Sequence, residues 1–209
     1  MLRELYARSV FAPLMDWSLR RPLIEDFRRR VVSQAAGDVL EIGFGTGLNL
    51  PYYTTQVRHL TLLDSAELLR RRVAERVRHC RAQQIERVFA SAERLPFENA
   101  SVECVVSTLT LCTIPGVAAA LQEIHRVLRP NGKLLLFEHG QSADPRIARW
   151  QDRLNPLQRL VACGCNLNRP IDRLVADAGF CANGLDRERL EGVPRILAEI
   201  YVGIAVPSA

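Results

Sequence analysis

Lysine is almost absent from this chain of 209 residues: Lys133 is the only one among 28 basic residues, and the rest are arginine. Aromatic residues are sparse, at 6%, and no basic stretch is interleaved with them. That disfavours the combined stacking and charge surface of a nucleic-acid binder. Glycine and proline, at 12 and 11 residues, are too few for a collagen-like or low-complexity chain. No apolar run approaches the roughly 18 residues of a membrane-spanning helix. The start, Met1-Leu-Arg-Glu-Leu-Tyr-Ala-Arg8, lacks an uninterrupted apolar core, so no secretory leader is expected. The six cysteines (Cys80, Cys104, Cys112, Cys163, Cys165, Cys181) then read as reduced thiols of a cytoplasmic protein.

What is present fits one globular domain with an appendage: 48% hydrophobic residues, 24% charged residues and a net charge of +5. The charge is uneven. Residues 1–37 carry net +3 and residues 58–88 net +4, and the remainder is net −2. The excess therefore falls on two peripheral helical regions.

Residues 2–35 have helical apolar spacing (Leu14, Trp17, Leu23, Ile24, Phe27, Val31), with breaks expected at Pro13 and Pro22. Val39–Ile42 is a short apolar strand, followed by a glycine cluster and an expected helix. Strands are expected at 59–63, 85–90, 102–107 and 133–138, with helices at 66–81 and 117–128. An amphipathic helix over 145–161, broken at Pro156, and a helix over 171–178 follow. Two last strands, 181–190 and 196–206, are close enough to form an antiparallel edge hairpin. The alternation predicts an α/β fold with a mostly parallel sheet, preceded by an N-terminal helical cap over 1–37.

The strongest local signal is Gly43-x-Gly45-x-Gly47 after the first strand. Glycines there let a backbone approach a ligand closely. Leu48 occupies the place of the third glycine of a dinucleotide fingerprint. Glu41, at the end of the strand, would repel a pyrophosphate and suits a cationic ligand such as S-adenosylmethionine; otherwise it is simply solvated. Asp64, with Ser65 beside it, ends the second strand 17 residues after Gly47. It is placed to bind a ribose diol or to cap the following helix.

Together with Ser91-Ala-Glu-Arg-Leu-Pro-Phe97 and Ile124-His-Arg-Val-Leu-Arg-Pro-Asn-Gly-Lys133, these segments resemble the class I S-adenosylmethionine-dependent methyltransferases of the ubiquinone-biosynthesis type. The resemblance implies a Rossmann-like, seven-stranded sheet with an antiparallel last strand over 38–209. It implies S-adenosylmethionine as cofactor and S-adenosylhomocysteine as product. It places Ser91, Ala92 and Glu93 at the adenine, and Thr108 and Leu109 over the methionine part. Leu111-Cys112-Thr-Ile-Pro115, Phe137-Glu-His-Gly140, Trp150-Gln-Asp-Arg-Leu-Asn-Pro156 and Gly164-Cys-Asn-Leu-Asn168 resemble, more narrowly, a bacterial group similar to the animal thiol S-methyltransferases. The hydrophobic membrane anchor of those animal proteins has no counterpart in the Arg-rich, Pro-broken N-terminal segment here, so membrane residence does not carry over.

In an open parallel sheet the ligands lie beyond the carboxyl ends of the strands. Thr108–Cys112, Glu138–Gly140 and an insertion over 141–168 should converge there. His139 is the candidate base or acceptor-orienting group, with a backbone-bonded structural role as its alternative. Cys112 reads as pocket lining or as a buried structural thiol, Trp150 as a pocket wall or core residue, and Asn166 as an acceptor contact or loop bond. Cys163-x-Cys165 lacks a second Cys or His pair at zinc-site spacing, so no metal is expected. The expected partner is a small lipophilic acceptor, a thiol first, with a phospholipid amine or quinone-ring carbon as alternatives. Transient contact of the N-terminal Arg-rich helices with anionic lipid at the inner membrane surface also fits; nucleic acid does not. A non-catalytic S-adenosylmethionine- or RNA-binding protein is the reading from another class.

Overall fold

A computed structural model describes residues 5–208. Seven strands form one sheet: β1 (Gly37–Ile42), β2 (Val57–Asp64), β3 (Gln84–Phe89), β4 (Val102–Thr108), β5 (Leu128–His139), β6 (Phe180–Arg189) and β7 (Glu199–Pro207). Their order is β3-β2-β1-β4-β5-β7-β6. The pairs among β1 to β5 are parallel, and β7 lies antiparallel between β5 and β6. Six α-helices accompany it: α1 (Ala12–Ser18), α2 (Pro22–Val32), α3 (Arg70–Arg78), α4 (Val117–Val127), α5 (Pro145–Val161) and α6 (Ile171–Asp177). This is the Rossmann-like fold with an antiparallel last strand.

The sheet has a core on each face. In β1, Val39 packs with Ile24, Phe27, Val31 and Val32 of α2. Leu40 and Ile42 pack on the other face with Leu121 and Ile124 of α4 and Ile171 and Val175 of α6. The period-two alternation of a strand thus sets which face each residue serves. From β1 the chain moves outward to β2 and β3, then crosses back to β4 on the other side of β1. The carboxyl ends of β1 and β4 flank this topological switch point, where doubly wound folds open a ligand cleft.

Four local expectations differ from the structure. No α-helix follows the glycine cluster; only a 3-10 turn, Leu50–Tyr52, occupies the link to β2, with Pro51 inside it. The basic helix begins at Arg70 rather than Ala66, because Leu69 at its N-cap is left-handed (φ 42°). Pro13 does not break the N-terminal helix. It has no N–H to give, and the turn before it widens to a π turn over Ala7–Phe11, in which Ala12 N–H reaches Ala7 O. Helix α5 runs through Pro156 unbroken. Anchors on the N-terminal side of the proline offset its cost of about 3 kcal/mol: Gln151 Nε2 donates to Gly140 O and Ile196 O at 3.0 Å each, and Asn155 Oδ1 accepts from Leu167 N at 2.8 Å.

The N-terminal helices are tied to the rest by charge as well as packing. Asp16 is buried on α1, where Arg76 Nη1 reaches its Oδ1 and Arg72 Nη1 its Oδ2, both at 2.6 Å. Burial alone would raise the Asp16 carboxyl; hydrogen bonding from Arg76 first, then Thr46 and Arg72, outweighs it and holds it below its ordinary value. Arg76 also donates to Thr46 O, inside the glycine loop. Asp16→Ala leaves this cation pair without its counter-charge. The expected loss is about 3 kcal/mol, read as a melting temperature lower by roughly 6–12 °C. A melt unchanged within a degree or two would show that the clasp is immaterial.

Candidate active site

The parallel strands end along one edge, which brings Ile42, Asp64, Phe89, Thr108 and His139 to the same side of the molecule. The turn leaving β1 passes through three left-handed glycines, Gly43 (φ 69°), Gly45 (φ 51°) and Gly47 (φ 79°). A Cβ at Gly43 would lie 2.2 Å from Thr110 Cγ2, so that position admits only glycine. A Cβ at Gly45 would meet nothing nearer than Gly43 O at 3.9 Å. The outer face of the loop is therefore open to close approach by a ligand. Asp64 holds the loop from β2, its Oδ2 accepting from Gly45 N at 2.9 Å and its Oδ1 from Ala66 N at 3.2 Å. Burial raises the Asp64 carboxyl, and these backbone donors with Ser65 partly offset the rise. Asp64 does not cap α3, whose N-cap is Leu69.

Beneath the loop lies a buried polar network. Glu41, 1% exposed, accepts from Asn49 Nδ2 through Oε1 at 2.8 Å and from Tyr53 Oη through Oε2 at 2.7 Å. Arg28 of α2 donates through Nη1 to Asn49 Oδ1 at 2.6 Å and to Thr108 Oγ1 at 3.1 Å. Asn49 Nδ2 also reaches Thr108 Oγ1 at 3.0 Å. Glu41 is thus not solvated; it is enclosed, and any effect of its charge on a ligand is exerted from below. Burial pushes its carboxyl up to about 7 against the opposing effects of Tyr53, Asn49 and Arg28. Arg28 Nε is buried without a hydrogen-bond partner, and burial lowers the guanidinium's pKa. One signal in the sequence points to Arg28: it falls on the inward stripe of α2, four residues after Ile24. Asn49 and Tyr53 carried no signal, because their partners are fixed only once the loop closes.

After β3, Ser91 Oγ accepts from Glu93 N at 3.2 Å, and Glu93 Oε1 accepts from Gly116 N, the N-cap of α4, at 2.7 Å. Ala92 is buried with Leu95 against the α4 face. Leu109 adopts a left-handed backbone (φ 54°) and its N–H bonds Phe137 O at 2.7 Å, turning the chain sharply past the end of β4.

A second cluster lies past β4 and β5. His139 Nε2 is 2.8 Å from Cys165 Sγ, and Cys165 Sγ is 3.7 Å from Cys112 Sγ; the three ligating atoms all lie within 4.8 Å of one another. The spacing of Cys163-x-Cys165 offered no such group, since its members come from three segments distant in sequence. The hydrogen bond from Cys165, outweighing burial, holds the Cys112 thiol well below its ordinary pKa. Burial opposes charge on His139, but Cys112 outweighs it and raises the imidazole pKa. Glu138 Oε1 gathers Ser107 Oγ (2.7 Å), Thr110 N (2.9 Å) and Leu111 N (3.0 Å), while Oε2 is buried without a partner. Burial, with Cys112 nearby, pushes this carboxyl up to about 7.

Asn166 joins the cluster through its framework: its N and Nδ2 both donate to Cys112 O at 2.9 Å, and its Oδ1 accepts from Asn155 at 3.2 Å. Its amide is spent on holding the loop. Arg169 fixes the same segment by donating to Leu111 O and Ile114 O. Trp150 is not brought to the cluster. It stands 54% exposed on a flank of α5, with the Arg153 guanidinium 5.4 Å from its ring centre, so it is not a core residue either.

The Glu41 carboxyl yields a signed pH effect. A folded value of about 7 against an ordinary 4.5 means the folded state holds the proton more tightly. The resulting stability is complete below pH 4.5 and is lost as pH rises through 7. Relative to Glu41→Gln, the native chain should lose on the order of 3 kcal/mol between pH 4.5 and 8. Urea denaturation of both chains across this range measures it; a difference that is flat or grows with pH would contradict the assignment.

Comparison with known proteins agrees with this geometry. Residues 40–136 match a family described as a methyltransferase domain. Human thiol S-methyltransferase TMT1B is 32% identical over 191 residues, covering 88% of this chain and 77% of that protein. Human thiol S-methyltransferase TMT1A is 31% identical over 166 residues, covering 78% and 68%. Among solved structures, the 1,6-didemethyltoxoflavin-N1-methyltransferase of Burkholderia thailandensis, with S-adenosylhomocysteine bound, shares the fold at a TM-score of 0.68 and 18% identity, covering 100% of this chain and 88% of that one. With the glycine turn, the acid ending β2 and an antiparallel last strand all in place, the chain belongs to the class I S-adenosylmethionine-dependent methyltransferases.

Proposed function

We propose that the chain transfers the methyl group to the sulfur of a small lipophilic thiol. The observation that supports this best is a convergence. Leu111-Cys112, Glu138-His139 and Gly164-Cys165-Asn166-Leu167 are the segments that resemble the thiol S-methyltransferases, and Cys112, His139 and Cys165 come from these three segments to one point. The cofactor supplies an activated methyl on a good leaving group. The chain's task is to hold a sulfur nucleophile in line, close and dry.

In this reading the ribose hydroxyls bind Asp64, with Ser65 beside it. The open backbone of Gly43, Gly45 and Gly47 meets the cofactor's amino-acid portion, and Glu41 acts on that portion from beneath. Ser91, Ala92 and Glu93 flank the adenine, and Thr108 and Leu109 lie over the methionine part. His139 and Cys112 contact the acceptor, and Asn166 positions the segment that carries Cys112.

The lipophilic character of the acceptor rests on the N-terminal segment. Tyr6 Oη donates to Val161 O at the end of α5 (2.9 Å), and Ala7 and Arg8 line a depression with Ser65, Leu68 and Phe89. The segment thus straps across the carboxyl edge of the sheet. It carries exposed Val10, Leu14 and Trp17, and α5 carries exposed Leu157 and Leu160. Arg20, Arg21 and Arg159 accompany these residues in sequence. Such a face favours transient contact with anionic lipid, where a lipophilic acceptor partitions. Among the described residues no helix is long and apolar enough to cross a membrane.

Incubation with methyl-labelled S-adenosylmethionine and a panel of alkyl thiols, phosphatidylethanolamine and quinone precursors tests the acceptor class. Label in the thioether is expected; label confined to lipid or quinone would refute it. Asp64→Ala should weaken S-adenosylmethionine binding by roughly tenfold or more in titration calorimetry, and unchanged affinity would remove Asp64 from the ribose site.

A further inference from the structure

We infer that Cys112, His139 and Cys165 form a three-ligand zinc site whose fourth position receives the acceptor thiol. Two thiolates and one imidazole are a donor set that zinc uses with an open coordination position. The spacing suits it. Two sulfurs bound tetrahedrally at about 2.3 Å stand roughly 3.75 Å apart, and Cys112 Sγ and Cys165 Sγ are 3.7 Å apart. A zinc-bound sulfur and imidazole nitrogen would stand about 3.6 Å apart, so the 2.8 Å between His139 Nε2 and Cys165 Sγ requires a shift of under 1 Å, within reach of side-chain rotation. Among the described residues no further His, Cys, Asp or Glu joins the group, so none of these side chains occupies the fourth corner.

The framework around the three side chains is built to hold them. Asn166 N and Nδ2 both donate to the Cys112 carbonyl, which locks the loop bearing Cys165 to the segment bearing Cys112. Arg169 pins that segment on either side of Cys112, at Leu111 O and Ile114 O. Gly140 N donates to Glu199 O at 3.2 Å and fixes the strand end next to His139. Outer contacts of this kind orient metal ligands and maintain affinity. A satisfied structural loop needs none of the three side chains to be a zinc ligand, and here all three are of kinds that zinc takes.

The site deepens the thiol reading, and rests on it for the occupant of the fourth position. An acceptor thiol gives its proton to solvent as its sulfur binds the metal. Its lone pair then forms the new sulfur–carbon bond while the bond from that methyl to the sulfonium breaks. The electron pair of the broken bond stays on the sulfur of S-adenosylhomocysteine. The methyl thioether is neutral, binds zinc weakly and leaves, and water takes its place. His139 acts here as a ligand, and no separate base is needed.

Anaerobic reconstitution of the reduced full chain with Co2+, followed by competition with Zn2+, tests the site without methyl transfer. One equivalent should bind with a thiolate-to-cobalt charge-transfer band and the intense d–d bands of tetrahedral cobalt. Adding hexanethiol should shift the d–d bands and add charge-transfer intensity. Cys165→Ser and His139→Ala should lose equimolar binding while keeping a native circular dichroism spectrum, and Cys181→Ser, outside the cluster, should keep both. Absence of stoichiometric uptake by the folded, reduced chain would overturn the site. A cobalt spectrum indifferent to hexanethiol would overturn the role of the fourth position. Full-rate thiol methylation by metal-free protein would also overturn the metal's role while leaving the thiol activity intact. Metal and thiol binding without thioether formation would support the site and refute the activity instead.

Discussion

A carboxylate enclosed in the middle of a parallel sheet must find its partners within the chain, and Glu41 sets the arrangement of much of what surrounds it. Asn49 and Tyr53 reach it from the link after the glycine turn, and that link must stay short and tightly folded for both to do so. Arg28 then bonds Asn49 and Thr108 from α2, joining the N-terminal helices to the ends of β1 and β4. Buried polar groups of this kind are costly unless every member is served. The same contacts that satisfy Glu41 fix the height and curvature of the glycine turn. The network therefore supports the glycine turn from beneath, and α2 is one of its anchors.

The other half of the site is organised from the opposite side of β4. Glu138, at the end of β5, draws in the N–H groups of Thr110 and Leu111 and so bends the chain after β4 toward β5. That bend delivers Cys112 to His139. The insertion after β5 returns over it, and Asn166 and Arg169 fasten it to the backbone around Cys112. Thr110 also bonds Gly43 O at 3.3 Å, so the glycine turn and the thiol cluster share one connecting segment.

The parts legible in the sequence were those whose cause is local. The apolar run of β1, the glycines after it and the acid ending β2 each carry their chemistry within a few residues, and they predicted the fold and the cofactor. The helix expected after Gly47 is absent because Asn49 and Tyr53 are committed to Glu41, a demand no local propensity expresses. Pro156 signalled a break that tertiary anchors at Gln151 and Asn155 override. Trp150 looked like a wall from its place in an apolar stripe, but the inward face of α5 is the one bearing Gln151 and Asn155. The thiol cluster was invisible for a related reason: its three members are separated by 27 and 26 residues, and only the convergence of two strand ends and an insertion brings them together.

The cofactor cleft and the thiol cluster operate as one site only if the transferable methyl lies between them. A crystal structure of the chain with S-adenosylhomocysteine bound measures this directly. The expected result places the ribose hydroxyls on Asp64 and turns the product's sulfur toward Cys112, His139 and Cys165. A cofactor seated with its ribose away from Asp64, or with its sulfur facing away from those three side chains, would contradict it.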